Sequence, residues 1–322
     1  RAPRFGDPAF GAPAFGAPGL SAAGRRPGPG TARNPELTPD PAFVTCAKPD
    51  VAHLETRPGE PLGIQRETPD GHNEQKGGRM EEIVLSPGDT AWILVSAALV
   101  LLMLPGLALF YGGMTRSKST LNMMMMVMGS LAVVGVLWVL FGYSLTFGEG
   151  GAWLGSFTQY RGLEGVMADD PAATYPAMAF VAFQAMFASI TVALIAGAVA
   201  DRTKFNAWLI FSGLWVTIVY FPVAHWVWAS GGWIFEGLGP LNGTPAIDFA
   251  GGTAVHINAG VAGLALAMVI GKRLGWPKTP MKPHNLTLVM IGAGLLWFGW
   301  FGFNAGSALA ANNTSAVVFL NT

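Results

Sequence analysis

Residues 90–115, TAWILVSAALVLLMLPGLALFYGGMT, form an uninterrupted run of 26 residues without a charged side chain. A helix that crosses the hydrocarbon core of a bilayer needs about 20 mostly apolar residues. The run is therefore long enough to predict a membrane-spanning helix. A very hydrophobic core of a soluble protein is the alternative for any single run of this kind, so the remainder of the chain has to decide.

Further uncharged runs occupy 119–148, 171–200, 205–235, 249–271 and 283–322. Each of the first four fits one more helix, whereas the last is too long for one and contains the polar stretch Asn304–Ser315. We expect a sixth helix near 284–304 and the first turns of a seventh. So many long uncharged runs in succession are not compatible with a soluble protein. The predicted fold class is therefore all-α, a polytopic membrane helix bundle.

Charge and composition exclude several classes of function. The chain carries 19 basic and 19 acidic residues, and only half of these charges lie in residues 81–322, about 8% of that segment. Soluble domains carry roughly 25% charged residues. The zero net charge gives no reason to expect a nucleic-acid partner. The one cysteine, Cys46, excludes a disulfide or a cysteine-based metal site within the chain, and no cofactor is expected.

The first 79 residues differ from the rest. Residues 1–80 hold 13 of the 23 prolines and 19 charged side chains, a composition typical of disorder. They begin with Arg1 and contain no apolar run that resembles a signal peptide. Our hypothesis is that Met80 is the true start and that 1–79 is a non-native extension, with the membrane domain in 85–322. A genuine disordered tail remains the alternative.

The loops predict the orientation of the bundle. The connections after the first, third and fifth predicted helices carry eight basic residues, whereas those after the second and fourth carry only Arg161. Short loops rich in Lys and Arg stay in the cytoplasm. We therefore expect the N-terminus outside, in a multi-pass protein of the cell's inner (plasma) membrane.

Two ionisable residues fall at the predicted fifth helix. Asp248 opens it, where a carboxylate suits a helix N-cap and could also attract cations. His256 follows eight residues later, about 12 Å deeper by helical rise and on roughly the same face. A histidine inside a membrane suits a proton relay or a hydrogen-bonding pore wall, and a histidine satisfied by helix packing is the alternative. We find no set of metal ligands.

Aromatic residues provide a second set of candidates. Phe183 and Phe187 are four residues apart and share one helix face. Trp228 closes the fourth helix at the outer interface, where tryptophan belts are common. Trp300 and Phe303 lie on the sixth helix. An aromatic cage attracts a small cation to its ring faces, but spacing alone does not show that these helices meet.

Six segments together carry a resemblance to a known family. They are PGLALFYGG at 105–113, GYSLTFGEG at 142–150, FQAMFASIT at 183–191, DFAGGTAVHIN at 248–258, KPHN at 282–285 and GWFGFNAGS at 299–307. From about Asp89 to Thr322 the chain resembles the ammonium transporter (Amt/Mep/Rh) superfamily, in its bacterial Amt branch. The resemblance implies a fold of eleven helices, a homotrimer with one pore per subunit, and a protein that is not an enzyme.

The resemblance also implies roles for individual residues. Trp228, Phe187 and Ser307 match the family's outer ammonium recruitment site, and Asp248 matches the acidic residue that supports it. Phe187 and Phe303 match a phenyl gate, with Phe183 and Trp300 as supporting pore aromatics. His256 matches the first of two pore histidines. The second lies on the family's tenth helix, which this chain does not contain, so we expect the full-length protein to transport and this fragment not to.

The implied function is recruitment of ammonium outside and conduction of ammonia, with or without the proton, through a hydrophobic, His-lined pore. A PII-type regulatory protein is the partner that the resemblance implies for the full-length chain. One alternative is a membrane ammonium sensor with a signalling domain beyond Thr322. Another is an intramembrane enzyme that uses His256 and Asp248, which the predicted separation of these residues and the absence of a nucleophile disfavour.

Overall fold

The structure is a computed structural model, and it describes residues 84–166 and 173–322. The predictions for 1–79 and for Met80 lie outside the described residues. All of the described residues belong to one compact unit. We name the end of the bundle near Trp228 the outer end and the end near Arg116 the inner end, after the orientation that the loop charges predict.

The described residues form seven helices. They are α1 Pro87–Met114, α2 Ser117–Phe147, α3 Ala177–Val199, α4 Phe205–Trp228, α5 Gly252–Ile270, α6 Leu286–Ala305 and α7 Asn313–Asn321. The first six are long and apolar enough to cross a membrane. The predicted all-α bundle of six spanning helices, followed by the start of a seventh, is therefore confirmed.

Local sequence signals set where several helices begin. The side-chain oxygen of Ser86 accepts a hydrogen bond from the backbone N–H of Asp89 at 3.2 Å, and Pro87 follows it in the first turn of α1. Asn285 and Asn312 cap α6 and α7 in the same way. Such caps satisfy N–H groups that have no partner within the helix, which matters most where water is scarce.

Helix α3 lies at the centre of the bundle and α5 lies at its edge. In the most apolar stretch of each helix, 72% of the α3 residues are buried, against only 22% of the α5 residues. Helices α1 and α6 pack closely because Gly292 faces Gly106, and a Cβ added at Gly292 would lie 2.6 Å from the Gly106 carbonyl oxygen. Small residues at such crossings let helix backbones approach each other.

Four helices contain a π-helical turn, a feature that the sequence did not predict. The turns are Trp138–Gly142 in α2, Val216–Tyr220 in α4, Gly252–Ile257 in α5 and Phe301–Ala305 in α6. A π-turn widens the helix locally and is frequent at functional sites. The last two turns carry His256 and Phe303.

Two further histidines join helices at the two ends of the bundle. His225 on α4 is fully buried, and its ring nitrogens lie 2.8 Å from the carbonyl oxygen of Thr146 and 2.9 Å from that of Gly151. At the inner end, the Nδ1 atom of His284 lies 2.8 Å from the carbonyl oxygen of Thr115. Both histidines therefore have a structural role, because each connects two separate segments of the chain.

Candidate functional site

Two phenyl rings from different helices stack in the middle of the bundle. The ring centroids of Phe187 on α3 and Phe303 on α6 are 4.3 Å apart, with an angle of 27° between the rings. Each side chain is only 1% exposed. Rings packed this closely leave no room for a hydrated ion between them.

Two more aromatic side chains extend this stack on the α3 and α4 sides. Phe183 contacts Phe187 with a centroid distance of 4.8 Å, and Trp228 contacts it edge to face at 5.9 Å. Trp228 is half-buried, so part of its indole remains accessible at the outer end. The fourth predicted aromatic residue, Trp300, packs against the buried core, and the ring contacts found among the described residues do not include it.

Asp248 holds both the indole of Trp228 and the start of α5. Its backbone carbonyl oxygen accepts a hydrogen bond from the Trp228 Nε1–H at 2.9 Å. Its carboxylate oxygens accept four backbone N–H bonds of 2.7 to 2.9 Å, from Gly251, Gly252, Thr253 and Ala254. The predicted position was wrong, because α5 begins at Gly252 with Gly251 as its N-cap residue, but the Asp248 carboxylate does cap the free N–H groups of the first turn from three residues further back. The carboxylate is therefore not free at the outer surface, and Asp248 contacts Trp228 only through its backbone carbonyl.

Ser307 follows the π-turn that carries Phe303. Its hydroxyl donates a hydrogen bond to the Phe303 carbonyl oxygen at 2.8 Å, and the side chain is half-buried. Because the hydroxyl proton is engaged, the oxygen presents its lone pairs as an acceptor. The preceding Gly306 lies against Phe183, which brings this turn next to the aromatic cluster.

His256 lies on the other side of Phe303. The two rings have a centroid distance of 5.8 Å and meet edge to face. The Nδ1 atom of His256 lies 3.1 Å from the Gly251 carbonyl oxygen, which can only accept, so Nδ1 carries the proton of this hydrogen bond. In the neutral ring, Nε2 is then the acceptor. The estimate of about 12 Å assumed an α-helix from Asp248 onward, but the helix begins only at Gly252 and its first turn is π-helical.

A cavity of about 320 Å³ begins at His256 and extends toward the inner end. Its walls come from α3 and α5 and are apolar: Leu194, Ile195, Ala198, Ala259, Gly260 and Gly263. The order from the outer end is therefore an accessible indole, a closed phenyl stack, a histidine and an apolar cavity. Within the described ranges 84–166 and 173–322, no group of three or more potential metal ligands comes together.

Asp89 also contributes to the structure around this site, although the sequence did not mark it as a candidate. Its carboxylate accepts a hydrogen bond from the Thr174 hydroxyl at 2.5 Å and another from the Ala311 backbone N–H at 2.7 Å. It thereby ties the start of α1 to the segment before α3 and to the turn after Ser307. The available signal was its position as the last acid before a long uncharged run.

These features define a class of protein, namely a polytopic helical membrane protein with a closed aromatic stack above a histidine and an apolar cavity. The chain belongs to the Ammonium Transporter Family, whose sequence model matches residues 91–322.

Individual relatives support the same assignment. The ammonium transporter of Mycobacterium bovis is 61% identical over 253 residues, which cover 73% of this chain and 53% of that protein. The ammonium transporter of Aquifex aeolicus is 48% identical, with coverage of 75% and 55%. The chain thus spans about half the length of the curated relatives it matches.

Solved structures agree at the level of the fold. The crystal structure of Candida albicans Mep2 matches with a TM-score of 0.64 and 37% identity, over 72% of this chain and 50% of that one. A structure described as a sensor Amt protein matches with a TM-score of 0.66 and 28% identity, over 73% and 58% of the two chains.

Proposed function

We propose that the full-length protein carries ammonium across the cell membrane. In this proposal NH4+ is recruited at the outer end by Trp228, Phe187 and Ser307, and Asp248 holds this site in place. Ammonia then passes the gate of Phe187 and Phe303 and moves along His256, with or without the proton. The observation that carries the proposal is the phenyl stack between an accessible indole and a histidine.

Recruitment relies on the ring faces and one hydroxyl. A cation over an aromatic face gains roughly 0.5 to 2 kcal/mol, the larger values when water is excluded. The oxygen of Ser307 accepts one N–H of the cation, since its own proton is bound to the Phe303 carbonyl. The carboxylate of Asp248 already accepts four backbone N–H bonds, so its role is to fix the N-terminus of α5, while the main-chain carbonyl of the same residue holds Trp228.

Selectivity follows from deprotonation at the gate. Potassium has the same charge as ammonium and a similar size, so an aromatic cage and a hydroxyl bind both. Burying an ion without compensation in an apolar passage is costly, and ammonium alone avoids that cost by releasing a proton. Neutral ammonia then meets Nε2 of His256 as a hydrogen-bond acceptor. The lone pair on Nε2 can also accept the released proton.

The test is uptake of methylammonium by a host that lacks its own ammonium transporters. We expect uptake with the full-length wild-type protein and a loss of affinity when Trp228→Leu removes the accessible indole. Trp226→Leu is the matched control, because Trp226 lies two residues earlier and packs against Trp153 and Trp233 outside this site. No uptake by the wild-type protein would refute the proposal, and equal effects of the two variants would refute the recruitment site.

A membrane ammonium sensor is the second candidate, because one structural relative is described as a sensor Amt protein. That relative is less similar in sequence than the transporters, at 28% against 61% identity. A sensor would bind ammonium and change the activity of an attached signalling domain without supporting growth on low ammonium. The uptake assay therefore separates the two functions.

Membership of the family also supports proposals for the assembly and for a regulatory partner. We propose a homotrimer in the cell's inner (plasma) membrane with a separate path in each subunit, and regulation by a PII-type protein at the inner face. Mass measurement of the purified full-length protein in detergent tests the trimer. Co-purification with a PII-type protein tests the partner.

A further inference from the structure

One face of α5 consists of His256 followed by four small residues. Gly260, Gly263, Ala267 and Gly271 follow His256 at intervals of four, three, four and four residues. Positions three and four apart lie above one another on a helix. This face therefore runs as a strip of small residues from the histidine to the inner end of α5, over about 22 Å of helical rise.

Two cavities lie along this strip. The first, of about 320 Å³, reaches from His256 to Gly263. The second, of about 650 Å³, begins at Ala267 and ends beyond Gly271 at the loop that follows α5. The strip lines both, so the two cavities follow one another along this face of α5, from His256 to the loop after the helix.

The charged residues that line the second cavity are all positive. Its lining includes Arg202, Lys272 and Arg273, and none of its lining residues in the described part of the chain is acidic. Lys272 is exposed at the rim and Arg273 is half-buried. The acid next to Arg202 in the chain, Asp201, is only 1% exposed and forms an ion pair with Arg116 at 3.0 Å, so it does not neutralise this rim.

Arg202 is fixed in place at this rim. Its two terminal nitrogens donate hydrogen bonds to the backbone carbonyl oxygens of Gly271 and Ala198. These carbonyls belong to the C-terminal ends of α5 and α3, where a cation is stabilised by the helix dipole. The guanidinium therefore holds positive charge at the junction of the two helices that wall the path.

We infer that Arg202, Lys272 and Arg273 form a cationic collar that disfavours cations at the inner end of the path while letting neutral ammonia leave. This inference rests on the proposed function. A cleft lined by one sign of charge changes local ion concentrations by roughly tenfold or more, and salt weakens the effect over a Debye length of about 8 Å. The collar does not alter the final equilibrium of ammonium. It raises the KM for ammonium presented from the inner side.

The experiment uses the full-length protein in liposomes with known orientation, with ammonium-driven flux measured from either side. For the wild type we expect an inner KM several-fold higher than the outer KM. The double variant Lys272→Gln/Arg273→Gln should lower the inner KM by roughly three- to tenfold and leave the outer KM unchanged. Raised salt should shrink this difference, and Lys272→Arg should behave as the wild type.

The matched control is Lys278→Gln/Lys282→Gln, which removes the same charge from the same loop at residues that do not line the cavity. An unchanged outer KM shows that a variant is folded. If the collar and control variants change the inner KM equally, or not at all, the inference is wrong while the proposed function stands. If the wild type moves no ammonium from either side, the proposed function fails as well.

Discussion

The outer and inner halves of the path differ in how completely the described residues enclose them. In the outer half, Phe183, Phe303 and Trp228 each contact the ring of Phe187, and the three phenyl rings are each 1% exposed. In the inner half, His256 and Gly260 are exposed, and the described residues that wall the cavity next to His256 come from α3 and α5.

This difference in enclosure indicates two different roles for the residues along the path. Side chains of the outer half stabilise the bundle and, in our proposal, also form the recruitment site, so changing them should affect both properties. Side chains on the inner face of α5 contribute little packing of their own, so changing them should affect conduction and hardly the stability. The following predictions test this division, beginning with the largest effect.

Phe303→Ala should lower the free energy of unfolding by about 3–5 kcal/mol, as is typical when a fully buried phenyl group is removed. The variant loses the stack on Phe187 and the contact with His256. Denaturation of the full-length protein in detergent measures the change. Phe298→Ala on the same helix is the control, because Phe298 is 56% exposed. Comparable losses in the two variants would contradict the enclosed outer half.

Asp248→Asn should cost about 2–3 kcal/mol, because the amide has one acceptor oxygen and no charge, so two of the four backbone N–H groups at the start of α5 lose their acceptor. The contact with Trp228 persists, since it uses the main chain. The same denaturation assay checks this value. Glu236→Gln, at an exposed acid of the outer loop, should change the stability by less than about 1 kcal/mol.

Asp89→Ala should cost about 1–2 kcal/mol, since it removes the hydrogen bonds to Thr174 and Ala311. Thr174→Val removes only the first of these bonds and should cost about half as much. The variant at Asp89 should also weaken methylammonium uptake, because the turn after Ser307 loses its tether. An unchanged affinity would show that this tether does not position the recruitment site.

Gly260→Ala should have the smallest effect, within about 0.5 kcal/mol, because no atom lies within 4 Å of an added Cβ. Gly292→Ala provides the contrast, since its Cβ would meet the Gly106 carbonyl oxygen between α1 and α6. Equal destabilisation by the two changes would show that the inner cavity is filled rather than open.

The sequence was sufficient to predict the spanning helices, because the absence of charge over 20 or more residues is a direct physical requirement of a bilayer. It also predicted that the Asp248 carboxylate caps the start of α5, although not that the helix begins only at Gly252, and it predicted the shared face of Phe183 and Phe187. The pairing of Phe187 with Phe303, 116 positions apart, came only from the family resemblance.

The remaining features have no local sequence signal. The π-turns at His256 and Phe303 depend on how helices pack, and uncharged apolar residues fit an α-turn equally well. The tether at Asp89 uses a backbone N–H contributed 222 positions later in the chain. Periodicity along one helix does not reveal such partners.

The replacement of His256 by aspartate in the full-length protein tests the central claim most directly, with ion flux measured for ammonium and potassium in liposomes. In our proposal the wild type passes neutral ammonia at this point, whereas a carboxylate beneath the phenyl stack should stabilise a cation there. His284→Asn is the control, since this histidine lies at the inner end against Thr115. The account predicts that His256→Asp admits potassium or loses its preference for ammonium. A preference equal to that of the wild type would contradict it.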